Sequence, residues 1–214
     1  MKILFYGDSI TDASRNASAQ ENDRSALGNG FVMQVAGRLY EKSLTDYEVI
    51  NRGISGNRVV DLYARVKADL WNLSPDLVSI LIGVNDVWHE VSRQNGVELD
   101  RFERIYRMLI EETLERLPKT KIIISEPFVL KGEATALKYD EFLKVKDYAK
   151  VCKKIAEDYG LYFLPLQDAI DKASEKAGAD RILSDGVHPS VKGAVVIANE
   201  WIKLFNEIEK EIQI

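Results

Sequence analysis

Leu77-Val78-Ser79-Ile80-Leu81-Ile82 carries no charge, and five of its six side chains are large and apolar. A strand with one wet face alternates apolar with polar residues, whereas a strand covered on both faces reads as a nearly unbroken apolar run. The segment is therefore expected to be a central strand of a parallel sheet. Shorter runs of the same kind recur on either side, at Lys2–Tyr6, Tyr47–Asn51, Lys121–Ser125 and Leu161–Leu164. Between them apolar residues fall at three- and four-residue spacing, most clearly at Phe102, Ile105, Tyr106, Leu109 and Ile110. This predicts helices over Phe31–Ser43, Val59–Leu73, Leu99–Leu117, Tyr139–Tyr159, Leu166–Ala177 and Val191–Lys210. Alternating strand and helix define an α/β class with helices on both faces of the sheet.

No internal repeat, low-complexity tract or linker interrupts the pattern, so residues 1–214 are expected to form a single domain. The hydrophobic share of 46% and charged share of 29% are ordinary for a globular chain. A net charge of -5 without a Lys/Arg cluster argues against nucleic acid and against polyanionic substrates. Cys152 is the sole cysteine and shares an apolar helix face with Val151 and Ile155, where it reads as a small buried hydrophobe. It cannot form an internal disulfide. Ile3-Leu4-Phe5-Tyr6 is too short for a signal-peptide core, and no run approaches membrane-spanning length. A cytoplasmic location without a membrane partner is the expectation.

Two short segments at opposite ends of the chain complement each other chemically. Gly7-Asp8-Ser9-Ile10-Thr11 follows the first strand, and Asp185-Gly186-Val187-His188-Pro189-Ser190 opens the last helix. A serine hydroxyl needs an adjacent base to become a nucleophile, and the base needs an orienting acid. Pro189 disfavours helical geometry at His188, so Asp185 and His188 sit on a loop where the carboxylate can reach Nδ1 and leave Nε2 for Ser9. Ser190 is a plausible cap for the helix that follows. The chain has only two histidines. His89 is the rival base, and Asp8 and Asp86 are rival acids. Asp86 also lies three residues before His89, but that pair is expected to enter a helical turn, so Asp185 and His188 are preferred.

Acyl transfer also needs donors aimed at the developing oxyanion. Gly53 ends the second strand and can present an unobstructed backbone N–H, and Asn85, in Gly83-Val84-Asn85-Asp86, can present a side-chain amide. In the flavodoxin-like strand order 2-1-3-4-5, Ser9, Gly53 and Asn85 all follow neighbouring strands, where open α/β sheets bind ligands. The polar stretch Asp12–Gly30 begins beside Ser9 and is expected to form a functional rim. Asp8, Arg58 and Trp88 are further candidates for substrate contact. For Trp88, stacking under a sugar ring and a place at the core edge are equally good readings.

These four segments resemble, in order and spacing, the nucleophile, glycine, Gly-x-Asn-Asp and Asp-x-x-His blocks of the SGNH (GDSL-type) hydrolase superfamily. The resemblance implies a three-layer α/β/α fold with a five-stranded parallel sheet. It also implies a Ser-His-Asp mechanism without metal or cofactor, in which Ser9 N–H, Gly53 N–H and the Asn85 side chain hold the oxyanion. The strings Asn51–Asn57, Ile82–Trp88, Val187–Gly193 and Ala26-Leu27-Gly28-Asn29-Gly30 are similar to the intracellular acetylxylan esterase branch. That implies an acetylated xylo-oligosaccharide substrate and a homo-oligomer. Ser184 departs from the branch, being small where a bulky aromatic precedes the catalytic Asp.

The resulting expectation is a serine carboxylester hydrolase acting on a small acyl group, acetyl first, carried by a polar alcohol. A lysophospholipase, thioesterase or general short-chain esterase of the same superfamily is the alternative; the first two would need a groove for a long acyl chain. A non-catalytic flavodoxin-like binder would need a phosphate cradle after the first strand, where Asp8 would repel the phosphate.

Overall fold

In a computed structural model, which describes residues 1–20 and 23–212, the run that begins at Leu77 forms the middle strand of the sheet. Its one polar side chain is fully accommodated: Ser79 is buried, and its hydroxyl accepts the Trp201 Nε1–H at 3.1 Å. The strands are β1 (Lys2–Gly7), β2 (Glu48–Gly53), β3 (Leu77–Leu81), β4 (Lys121–Ser125) and β5 (Tyr162–Leu164). All pair in parallel in the order β2-β1-β3-β4-β5, as expected.

The sheet is covered on both sides. Helices α2 (Phe31–Lys42), α8 (Gln167–Ala177) and α9 (Val191–Ile212) pack together as one group. Helices α3 (Val59–Asp69), α5 (Leu99–Arg116) and α7 (Val145–Asp158) form the other. Trp201 on α9 stacks on Phe205 with ring centroids 5.0 Å apart and meets Phe5 of β1 at 5.1 Å. Burying such rings contributes about 2–3 kcal/mol each from area alone. Cys152 is fully buried in α7, in keeping with its apolar face. Among the described residues, no helix is long and apolar enough to cross a membrane.

Three elements depart from the sequence expectation. The predicted helix Tyr139–Tyr159 is two helices, α6 (Tyr139–Phe142) and α7, because its halves bury against different neighbours. Phe142 packs edge-on against Trp88, whereas α7 lies on α5, β4 and β5. The predicted helix over Val59–Leu73 ends at Asp69, and a separate tight turn spans Trp71–Leu73 before Pro75. Most consequential is Val84–Arg93: where only a helical turn at Asp86–His89 was expected, a full helix, α4, starts directly after β3. Its first turn buries Asn85 and Asp86 beside Val84 and Val87, so a polar buried face conceals the helical period.

The chain leaves β1 for β2 on one side and reaches β3 on the other, which makes the carboxyl end of β1 a topological switch point. Gly7 lies in register with Gly53 and with Leu81. Ser9, Gly53 and Asn85 therefore emerge at the same edge of the sheet.

Candidate active site

Ser9 is the first residue of the short helix α1 (Ser9–Asp12). Asp8 caps that helix, accepting the Ile10 N–H at 2.9 Å. A cap of this kind is worth about 1 kcal/mol and fixes the direction in which Ser9 leaves the strand. The Ser9 N–H stands in the first helical turn, where a helix offers no internal acceptor. Ser9 Oγ lies 2.8 Å from His188 Nε2.

The histidine is held by a loop anchored at several points. Leu183 and Pro189 form an isolated bridge, and Ser184 N–H donates to the His188 carbonyl at 2.9 Å. Gly186 has φ of +101°, and a Cβ there would lie 2.5 Å from Thr135 Oγ1 and 2.6 Å from the Leu130 carbonyl. The segment after β4 supplies further ties: Leu130 N–H donates to the Gly186 carbonyl and Ala134 N–H to that of Asp185. Sequence reasoning missed this support, since nothing in Leu130–Thr135 marks it locally. Ser190 caps α9 as expected, its hydroxyl accepting from the N–H groups of Lys192 and Gly193.

Asp185 accepts three N–H bonds. Oδ1 takes those of Val187 at 2.9 Å and His188 at 2.8 Å, and Oδ2 takes the His188 ring at 2.7 Å. Burial pushes the carboxyl pKa up, but the bonds from the His188 ring and the two backbone donors outweigh it and leave it at about 2. An ionised Asp185 can only accept, so Nδ1 carries the proton and Nε2 is left to accept from Ser9 O–H. The bond to Asp185 raises the His188 pKa above its ordinary value against the opposing effect of burial.

The rival groups are engaged elsewhere. Asp8 is fully buried, and Asp86, also fully buried, accepts the Val59 N–H at 3.0 Å and so serves the start of α3. Burial drives both carboxyls well above the usual carboxylate range. His89 is half-buried, and desolvation together with Arg93 and Arg58 lowers its pKa.

At two of the three expected oxyanion positions, Gly53 and Asn85, the donors already have contacts. Gly53 N–H donates to Asn51 Oδ1 at 2.8 Å, and one Asn85 Nδ2 hydrogen goes to the Asn57 carbonyl at 3.0 Å, leaving the second hydrogen of that amide. Asn51 is a buried staple that sequence reasoning missed. Its amide also donates to the carbonyls of Thr11 and Leu27, tying β2 to α1 and to the rim. A Cβ at Gly53 would fall 2.2 Å from Asp12 N, so only glycine fits there.

An open cleft of about 510 Å³ lies over Ser9 and His188, with Ser14, Asn29, Ser55 and Val191 among its walls. Two residues expected at the substrate are turned away from it. Asp8 has no exposed surface, and the Arg58 guanidinium is ion-paired with Asp61 at 3.0 Å and donates to the Asn95 carbonyl at 2.9 Å. Trp88 is half-buried, with its ring centroid 5.8 Å from that of His188 and its edge on Phe142. Of the expected rim Asp12–Gly30, Glu21 and Asn22 lie outside the described residues, and the remainder includes a helical turn at Arg24–Leu27. Among the described residues no group of three or more His, Cys, Asp or Glu side chains could hold a metal ion.

A parallel sheet with a Ser-His-Asp constellation at its switch point defines a class, that of α/β serine hydrolases. Comparison with known proteins narrows it. The GDSL-like Lipase/Acylhydrolase family matches residues 5–196. An acetylxylan esterase of Geobacillus stearothermophilus is 37% identical over 211 residues, covering 94% of this chain and 92% of its own. An isoamyl acetate-hydrolyzing esterase 1 homolog of Rattus norvegicus is 27% identical, covering 90% and 76%. Among solved structures, a GDSL-like lipase from Parabacteroides merdae superposes with a TM-score of 0.89 at 37% identity, covering 95% and 94%. A catalytic mutant of the Geobacillus acetylxylan esterase gives 0.86 at 35%, covering 95% and 93%. The chain belongs to the GDSL-like lipase/acylhydrolase family and is an SGNH-type esterase.

Proposed function

We propose that the protein removes acetyl groups from a polar alcohol, with acetylated xylo-oligosaccharides as the substrate class, by a Ser9–His188–Asp185 acyl-enzyme mechanism. The observation that carries this reading is the unbroken chain from Ser9 Oγ through the His188 ring to Asp185, with steps of 2.8 and 2.7 Å. Ser9 Oγ attacks the ester carbonyl carbon while Nε2 takes its proton, and Asp185 stabilises the imidazolium. The tetrahedral intermediate collapses as His188 returns the proton to the departing alcohol oxygen. His188 then deprotonates a water that attacks the acetyl-enzyme, and acetate leaves as Ser9 recovers its proton. The oxyanion is held by the Ser9 N–H, the Gly53 N–H and the second hydrogen of Asn85 Nδ2. The Gly53 N–H reaches it by sharing or leaving its bond to Asn51.

An acetyl group is favoured because two relatives named for acetyl-ester hydrolysis differ in the alcohol and agree in the acid. The direct test is acetate release from acetylated xylo-oligosaccharides beside a series of p-nitrophenyl esters. Release from the sugar is expected, with turnover falling from the two-carbon to the eight-carbon ester. A profile peaking at eight carbons or longer would overturn the acetyl assignment in favour of a lysophospholipase or thioesterase.

Asn85→Ala is expected to lower kcat by about 10²–10³-fold with little change in KM, because its amide meets charge that exists only in the transition state. A rise in KM with kcat unchanged would instead give Asn85 a role in ground-state binding.

A further inference from the structure

The rim beside Ser9 has an unusual backbone. Ala13 and Ser14 are consecutive non-glycine residues with φ of 45° and 62°. Each costs about 1–2 kcal/mol relative to right-handed geometry, so the surroundings must impose it. They do so through Gly28-Asn29-Gly30. Asn29 N–H donates to the Ala13 carbonyl at 2.9 Å. A Cβ on Gly28 would lie 2.4 Å from the Asp12 carbonyl oxygen, and one on Gly30 would lie 2.6 Å from Ala13 Cβ. The two glycines let the backbones meet, and Asn29 is the residue between them that carries a side chain. The Asn51 amide on the Leu27 carbonyl anchors the same strip from below.

This clamp presents Ser14 and Asn29 as an exposed ledge on the wall of the catalytic cleft. Neither side chain hydrogen-bonds to another described residue. The ledge is also where the cleft continues. A second open cleft, of about 520 Å³, shares Ser14, Asn29 and Gly30 with the first and runs on past Met33 and Gln34 to Arg24. Either cleft is of the size that holds a small ligand. Val191, 76% exposed, borders the first cleft, and Gln34 Nε2 lies 3.5 Å from its carbonyl. Neutral hydrogen-bonding groups beside an apolar surface match the polar edge and CH face of a sugar ring.

Resting on the esterase reading above, we infer that the Ser14–Asn29 ledge is the leaving-alcohol subsite, which binds a carbohydrate of more than one ring running from Ser9 toward Met33 and Gln34. Ser14 and Asn29 bond the ring that carries the ester, and the next ring lies in the second cleft. The ledge therefore determines specificity for the alcohol and leaves the chemical step to the residues around Ser9.

The test compares kcat/KM on p-nitrophenyl acetate, acetylated methyl xyloside and acetylated xylotriose, using wild type, Asn29→Ala and Ser14→Gly. Ser14→Gly removes the hydroxyl and relieves the left-handed strain, and a thermal melt beside each assay separates a lost contact from a lost fold. Wild type is expected to prefer the trisaccharide to the xyloside by about tenfold, equivalent to one hydrogen bond or more. Each variant is expected to lower the ratio of xylotriose to nitrophenyl acetate activity by about fivefold to tenfold. Equal activity on the two sugars, or ratios unchanged in both variants, would overturn the subsite while leaving the esterase reading intact. Turnover of the nitrophenyl ester without either sugar would overturn the subsite and the sugar substrate together, leaving only the acyl-enzyme chemistry. Failure to hydrolyse any ester would remove the esterase reading and the subsite with it.

Discussion

Ser9→Ala is expected to lower kcat by about 10⁵-fold or more, with a melting temperature within about 4 °C of wild type. In the proposed mechanism the kinetic loss is large because a single Oγ is both the attacking atom and the proton donor to His188 Nε2, which lies 2.8 Å away. The thermal effect is small because the same atom is half-buried and makes one bond, while the backbone direction at Ser9 is set by the Asp8 cap, which survives the substitution. The oxyanion donors and the cleft also survive, so a residual rate above that in water is expected. Residues that act as a unit are not additive, and Ser9→Ala/His188→Ala should be no slower than Ser9→Ala alone. The measurement is turnover of p-nitrophenyl acetate by freshly purified variants, with a thermal melt alongside. Activity retained in a clean Ser9→Ala preparation would place the nucleophile elsewhere.

The parts of the fold legible in the sequence are those whose cause is local. Leu77–Ile82 announces a doubly covered strand because every side chain but Ser79 is apolar, and that one exception is explained only by Trp201, more than a hundred positions away. The Asp185-x-x-His188-Pro189 string is equally self-contained, since the spacing and the proline together shape the loop. What was hidden depends on distant partners. Helix α4 has a buried polar face, and its Asp86 is explained by Val59 N–H. Asn51 looks like an ordinary strand-end polar residue until the carbonyls of Thr11 and Leu27 arrive beside it. Arg58 reads as a candidate for substrate contact until Asp61, one helical turn on, is seen to pair with its guanidinium. Gly28 and Gly30 could be read as turn residues, but their necessity comes from the backbone at Asp12 and Ala13. Strand order and chemistry could thus be argued from short strings, whereas the shape of the rim could not.

Asp185→Asn is expected to lower kcat/KM by about 10⁴-fold and to move its acid limb to lower pH. In the native site Oδ1 accepts the Val187 and His188 N–H groups, so the substituted side chain keeps its oxygen there and turns its NH₂ toward the ring. A donor facing Nδ1 makes that nitrogen an acceptor and forces the proton onto Nε2, which then cannot take the Ser9 proton. The pH dependence follows from the same bond. The base must be neutral to act, so kcat/KM rises with pH through the free-enzyme pKa of His188. Asp185 raises that pKa, chiefly by hydrogen bond, and the more distant Asp8 adds to the rise, so the wild-type midpoint lies above the ordinary histidine value of 6.5. Asp185 itself, held at about 2, stays ionised throughout the working range and adds no limb of its own. Without the carboxylate, burial dominates at His188 and lowers its pKa, which shifts the residual activity's midpoint downward. A pH profile of kcat/KM on p-nitrophenyl acetate for both proteins reads the tautomer effect as height and the charge effect as position. A variant whose height falls while its midpoint stays in place would show that Asp185 orients the ring without controlling its proton affinity, and another group would have to account for the raised pKa.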